Sequence, residues 1–344
     1  MRAFAWAVAR GPGWRGALAP LGRPARGLGF VYFTEALAGH AGDIVDALRT
    51  DTGVEHWVGS VGTGIVATGL EVQDEPAVAA MIADVGSYAV FSGRAPLPAA
   101  MVARFGIVHA DPEAPDLGGL VADMSAKIAT GSLAGGVACS RGRAVQIADE
   151  PLTGGLSGAV IGDGTRLTSR LTQGCVPFAG RFRVTQCKEH IVERLDGRPA
   201  LDVLLETVGS RRSAVLVGLP VPGGAPGEYT ARNLLGVDPK SRCIAIGEPV
   251  EPGDEVLFCR RDAAAAREDL ARMLAEVRAA VPRPRGALYY SCVGRGEHLF
   301  GERGAELQQV RQALGEVPLV GFFCNGEIYR DRLYGYTGVL TVFE

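Results

Sequence analysis

The sequence has no apolar run approaching the roughly 18 residues of a membrane-spanning helix, which excludes an integral helical membrane protein. Its seven cysteines form no CxxC pair, and none stands with histidine at zinc-finger spacing. The odd count argues against a disulfide framework, the spacing argues against structural zinc, and both point to a reducing, cytoplasmic compartment. A net charge of −3 with scattered arginines provides no basic stripe for nucleic acid or an anionic membrane surface. The glycine-rich run Gly59-Ser60-Val61-Gly62-Thr63-Gly64 lacks both the GxGxxG spacing and a GK[ST] ending, so no nucleotide fingerprint is present. No acidic residue precedes Glu35, while Arg2, Arg10, Arg15, Arg23 and Arg26 do, as in a transit peptide. Trp14, Ala17, Leu18 and Leu21 read more simply as a short amphipathic helix leading into a strand. What remains is a globular chain of 344 residues, 47% hydrophobic and 21% charged, long enough for two domains.

A strand, helix, strand plan recurs three times. Gly29 to Phe33 is strand-like, Ile44, Val45 and Leu48 fall at helical spacing, and Trp57 to Gly64 is a strand ending in glycines. The plan returns at Phe105 to Val108, a helix with Leu117, Leu120, Val121, Met124 and Ile128 on one face, and Leu133 to Ser140. A third copy runs from Leu288-Tyr289-Tyr290 through Leu307, Val310 and Leu314 to Leu319–Phe323. Counted from first strand to second-strand glycine, the copies span Phe30 to Gly59, Phe105 to Gly135 and Leu288 to Gly321, about thirty residues each, the size of one such unit. Unrelated α/β sequences also produce this pattern, so common ancestry does not follow from it.

Between the second and third copies the period becomes two. Gly158 to Ile161, Leu167 to Leu171, Arg181 to Gln186 and Ile191 to Leu195 predict antiparallel strands joined by hairpin turns. Asp196-Gly197-Arg198-Pro199 opens a helix with Leu201, Val203, Leu204 and Val208, and a domain boundary is placed there. A strand from Ala214 to Gly218 and a glycine/proline loop from Pro220 to Gly227, the expected mobile segment, follow. Strands near Ile244 and Val256 precede an amphipathic helix from Asp262, its N-cap, to Val281, with Leu270, Met273, Leu274 and Val277 facing inward. The alternating run Leu333 to Phe343 predicts a last strand. The fold class is therefore α/β (α+β): two lobes of mixed sheets covered by helices, built on repeated strand–helix–strand units with inserted antiparallel hairpins. The domains are a helical lead-in over 1–27 and lobes over 28–196 and 197–344.

Several stretches resemble the FIST family. Gly-Gly-Leu-Ser-Gly-Ala at 154–159, Gln-Gly-Cys-Val-Pro at 173–177, Val-Thr-Gln at 184–186 and Asp-Gly-Arg-Pro-Ala-Leu at 196–201 are similar to its amino-terminal half. Ser-Cys-Val-Gly-Arg-Gly at 291–296, Leu-Phe-Gly at 299–301, Pro-Leu-Val-Gly-Phe-Phe-Cys-Asn-Gly-Glu-Ile at 318–328 and Tyr-Gly-Tyr-Thr-Gly-Val-Leu at 334–340 are similar to its carboxy-terminal half. The resemblance implies a cytoplasmic sensory module for a small ligand, with amino acids suggested. Such regions occur beside bacterial signalling domains, as free-standing proteins and in an F-box ubiquitin-ligase subunit, and some members are described as haem-dependent nitric oxide sensors. This chain reads as a free-standing member, so any output passes through a protein partner.

The candidate site follows from the third copy. If its strands lie parallel, Ser291, Cys292, Gly294 and Arg295 emerge at the same sheet edge as Cys324, Asn325, Gly326 and Glu327, where α/β folds place ligands. Arg295 between glycines suits a carboxylate or phosphate, and Glu327 with Asn325 suits an ammonium group, together matching an amino-acid-like zwitterion. Gly326 lets the backbone approach, and Gly174 and Cys175 are expected to help close the site. The competing readings are a tight turn with a solvated Glu327, and a surface ion pair between Arg295 and Glu327. An enzyme using Cys175 or Cys292 as nucleophile, or Glu327 as acid or base, is the alternative from another class, although none of the five histidines is nominated as its base. A haem-based gas sensor is the further alternative, with no axial histidine singled out. The reading selected is a small-ligand sensor acting through a partner protein, without a resident cofactor.

Overall fold

A computed structural model describes residues 4–11, 13–24, 26–93, 95, 97–98, 101–209, 215–224 and 227–344. The chain divides into two compact units, one formed by the residues up to Thr172 together with Arg267–Glu344, the other by Gln173–Ala266.

In the first unit each expected strand–helix–strand copy is a parallel strand pair. Leu28–Thr34 pairs with Trp57–Gly62 across the helix Ala41–Thr52. Phe105–Ala110 pairs with Leu133–Val137 across Leu117–Ala126. Gly286–Cys292 pairs with Leu319–Cys324 across Ala305–Leu314. The glycine in each second strand has one physical cause. A Cβ on Gly59, Gly135 or Gly321 would lie 1.7 Å from the carbonyl oxygen of its register partner, Val31, Val108 or Tyr289 respectively. No side chain can occupy that space, so the same residue type is required three times.

The resemblance extends to whole sheets. Among the described residues the first unit holds three six-stranded sheets of one plan. In each, the parallel pair is flanked on its first-strand side by an antiparallel strand, Ala77–Ala83, Leu156–Ile161 or Thr337–Phe343. On its second-strand side lies a hairpin donated by another copy. The hairpin after Trp57–Gly62, Gly64–Ala67 with Leu70–Gln73, joins the sheet of Leu319–Cys324. That after Leu133–Val137 joins Trp57–Gly62, and that after Leu319–Cys324 joins Leu133–Val137. The outermost strands, Phe4–Arg10, Tyr88–Phe91 and Leu167–Gln173, complete the pattern. Each sheet is thus built from more than one copy, which ties the three together cyclically.

The second unit is different. Cys175–Lys188 pairs with Glu255–Arg261 on one side and Ile191–Leu195 on the other, so that with Val215–Pro220, Tyr229–Asp238 and Cys243–Ile246 the antiparallel strands close into a barrel. Val184, Val192, Ile244 and Phe258 fill it, together with Leu201 and Leu204 of the helix Ala200–Val208.

Some expectations change in detail. Leu156–Ile161 does not pair with Leu167–Gln173 as a hairpin; it joins Phe105–Ala110 and Tyr88–Phe91. Within the expected helical lead-in, Trp14–Leu21 is a 3-10 helix, and ahead of it Phe4–Arg10 is a strand. The last run is split into Arg332–Tyr334 and Thr337–Phe343 at Tyr336, whose φ is 62°. Ala214 and residues 225–226 lie outside the described residues, while Glu228 O accepts from Val221 N at 3.0 Å to tie the neighbouring strand ends into a hairpin. Asp262 caps its helix as expected, accepting from Ala265 N at 3.0 Å.

Candidate functional site

The parallel register places Ser291 beside Phe323 and Cys292 beside Cys324, so the two strand ends emerge together. After Cys292 the chain turns tightly, with Arg295 N donating to Cys292 O at 2.8 Å, which sends the Arg295 side chain inward. Its Nε donates to Glu306 Oε1 at 2.7 Å, and both side chains are 0% exposed. The Arg295 guanidinium carbon also sits 5.3 Å from the centre of the Phe300 ring, a cation–π distance. Tyr289 Oη donates to Glu306 Oε1 at 2.6 Å and Ser291 Oγ to Oε2 at 2.9 Å, so both carboxylate oxygens are satisfied. Arg295 is not. Nη2 lies 2.6 Å from Glu306 Oε1 but is not aligned for a hydrogen bond, and Nη1 has no acceptor among the described residues, leaving buried donors unused.

Glu327 is also fully buried and, among the described residues, makes no hydrogen bond to this pair. Its Oε2 accepts from Thr337 N at 3.1 Å and Thr337 Oγ1 at 2.6 Å, and Oε1 accepts from Cys324 Sγ at 3.3 Å. Burial outweighs these hydrogen bonds and raises its pKa to about 7. Burial likewise pushes the Cys292 and Cys324 thiols up, so neither is held as a thiolate. Gly326, at φ 128°, carries the chain to the neighbouring sheet: its carbonyl accepts from Val137 N at 2.9 Å, and a Cβ would come 3.2 Å from Val137 Cγ2.

The competing reading of a surface ion pair between Arg295 and Glu327 is overturned on two counts. Neither residue is at the surface, and the ion-pair partner of Arg295 is Glu306. The structure gathers Ser291 and Arg295 around Glu306, and Cys324 beside Glu327; Asn325 is exposed. Gly174 and Cys175 belong to the barrel unit, where Cys175 O accepts from Tyr229 Oη at 2.6 Å. Sequence reasoning missed Glu306, Tyr289, Thr337 and Glu71, whose buried Oε2 has no hydrogen-bond partner among the described residues. Glu306 did carry a signal: it lies four residues before Val310, on the inward face of an amphipathic helix, where a carboxylate needs a buried partner.

Models of the FIST N domain and the FIST C domain match residues 27–198 and 200–330. The chain belongs to the FIST family. An uncharacterized protein of Mycobacterium tuberculosis (strain H37Rv), Rv0628c, is 30% identical over 348 residues, covering 88% of this chain and 87% of the relative. The uncharacterized protein Mb0898c of Mycobacterium bovis is also 30% identical, covering 88% and 86%.

Haem ligation is described for some FIST proteins, and the fully buried His109 does not fit it. An axial ligand needs an imidazole nitrogen facing an apolar cleft. His109 is fully buried, its pKa lowered by burial to about 3, with Nε2 3.2 Å from Tyr32 Oη and its ring enclosed by Tyr32, Tyr290 and Phe322. His40 and His56 pair with Asp43 and Asp149, His190 Nδ1 meets Ile246 O, and His298 is exposed.

Proposed function

We propose that this FIST protein is a cytoplasmic sensor of a small, amino-acid-like carboxylate, bound where Gly286–Cys292 and Leu319–Cys324 end, and that it signals through a protein partner. The observation that carries this reading is the set of unused Arg295 donors at full burial. Glu306 holds the Nε side of the guanidinium, and a ligand carboxylate takes the Nη side by a two-pronged bond. Ser291, Cys292, Cys324, Asn325 and Gly326 frame the position, and Glu327 receives the ligand's ammonium group. Entry requires movement of the turn 293–296 and the short helix Glu297–Phe300. Such movement would couple occupancy to a change at the surface that a partner can read. The raised thiol pKa values favour binding over nucleophilic catalysis in this reading.

A thermal-shift screen of amino acids and small carboxylates provides the test. A ligand at about 100 times its Kd stabilises the protein by about 2.7 kcal/mol. The shift is expected to vanish in Arg295→Lys, which keeps the charge but loses the fork, and to weaken in Glu327→Gln. A ligand that stabilises both variants as well as the wild type sinks the assignment.

A further inference from the structure

The first repeat has the same kind of strand-end edge, and there the edge is open. A cleft of about 450 Å³ is lined by Thr34 at the end of one parallel strand and Thr63 just beyond the other. Ser140, Arg141 and Arg143 line it from the loop that leads from Leu133–Val137 to the hairpin donated to this sheet. This is the position, past the carboxyl ends of parallel strands, at which α/β sheets receive ligands. Its volume falls within the range of about 300–1,000 Å³ typical of small-molecule sites.

The charges of the lining define what fits. Glu35 is clasped by Arg141, accepting from its backbone N at 2.8 Å and its Nε at 2.9 Å, and this holds the Glu35 carboxyl below its ordinary pKa. Asp74 pairs with Arg303 at 3.3 Å, and Glu75 pairs with Arg10. Glu35 and Glu75 thus each have a guanidinium, and Asp74 shares that of Arg303 with Glu297. Arg143 makes no ion pair or side-chain hydrogen bond among the described residues, and is the one lining cation left over. Beside it, Ser140 Oγ accepts from Gly142 N at 3.0 Å, which leaves the hydroxyl proton available to donate.

We propose that this cleft is a second binding site, for a small organic anion whose carboxylate or phosphate group is held by the Arg143 fork and the Ser140 hydroxyl. A single unpaired guanidinium matches one anionic group, and the neighbouring acids disfavour ligands with further negative charge. The site shares no side chain with the Arg295 cluster, so it stands or falls independently of the function proposed above.

Isothermal titration of the full chain with lactate, glycerol 3-phosphate and inorganic phosphate tests the proposal. Saturable binding by at least one probe is expected, and the probe that binds distinguishes a carboxylate site from a phosphate site. Affinity should fall about tenfold or more in Arg143→Gln and several-fold in Ser140→Ala. Arg143 is exposed, so Arg143→Gln should retain the wild-type circular dichroism spectrum, with Ser140→Ala as the second handle. The proposal is overturned by a wild type that binds none of the probes or by unchanged affinity in Arg143→Gln.

Discussion

Two sheet edges of one topology have opposite interiors. At the end of Gly286–Cys292 and Leu319–Cys324 the space is closed: Arg295 and Glu306 are fully buried, Phe300 lies against the guanidinium, and a Cβ on Gly296 would come 3.0 Å from the Phe323 ring. At the end of Leu28–Thr34 and Trp57–Gly62 the corresponding ion pair, Glu35 with Arg141, sits at the rim of an open cleft with the arginine side chain 82% exposed. Register explains part of the contrast. The second-strand residues two beyond the shared glycines are Val61 and Phe323, so a larger side chain occupies the third repeat where the first carries valine. A repeated scaffold fixes where strand ends meet, and the residues on it decide whether that place is sealed or accessible.

The largest expected effect tests the scaffold. Gly321→Ala puts a methyl group into the Tyr289 carbonyl and should cost more than about 4 kcal/mol, or abolish folding, in urea denaturation. Gly59→Ala and Gly135→Ala should behave alike, and tolerance at any one of them would break the equivalence. Next comes the contrast between ion pairs. Glu306→Gln leaves a buried guanidinium uncompensated and should lose about 3–5 kcal/mol. Glu35→Gln, at a solvated pair, should lose less than about 1 kcal/mol. Equal losses would erase the distinction between sealed and open edges.

The pH dependence separates the edges by sign. Glu327 has a folded pKa raised from 4.5 to about 7, so the folded state holds its proton more tightly than the unfolded chain. Stability from this group is present below pH about 4.5 and is lost as pH rises through about 7, about 3 kcal/mol in all. The wild type should therefore weaken relative to Glu327→Gln across that window; a constant difference would count against the buried carboxyl. Glu35 has a lowered pKa, so its contribution is present above the ordinary carboxylate range and fades as pH falls. The smallest effect is expected at Asn325→Ala, whose exposed side chain should leave stability within about 0.5 kcal/mol, as thermal unfolding would show.

The parallel units were legible because their signals are local: apolar strands, helical spacing and a glycine forced by a neighbouring carbonyl. The exchange of hairpins between sheets was not, because Gly64–Ala67 pairing with Leu319–Cys324 joins segments some 250 residues apart without leaving a local pattern. The closed barrel was hidden for the same reason, although its strands were largely found. At the candidate site, spacing identified Arg295 and Glu327 but coupled them to each other. The inward face of Ala305–Leu314 decides otherwise, since Glu306 reaches Arg295 first and leaves Glu327 to Thr337 and Cys324.

Two of the three sheets receive their outermost strand from the copy before them, across the short links 84–87 and 162–166. The third receives Phe4–Arg10, which fills the place where a continuation of Thr337–Phe343 would lie, with the Phe4 and Phe343 rings 5.3 Å apart. The order of elements along this chain is thus a circular permutation of three like repeats. A gene opened at the 84–87 link, with residue 344 joined to residue 4 through a short glycine linker, should encode a protein of the same fold.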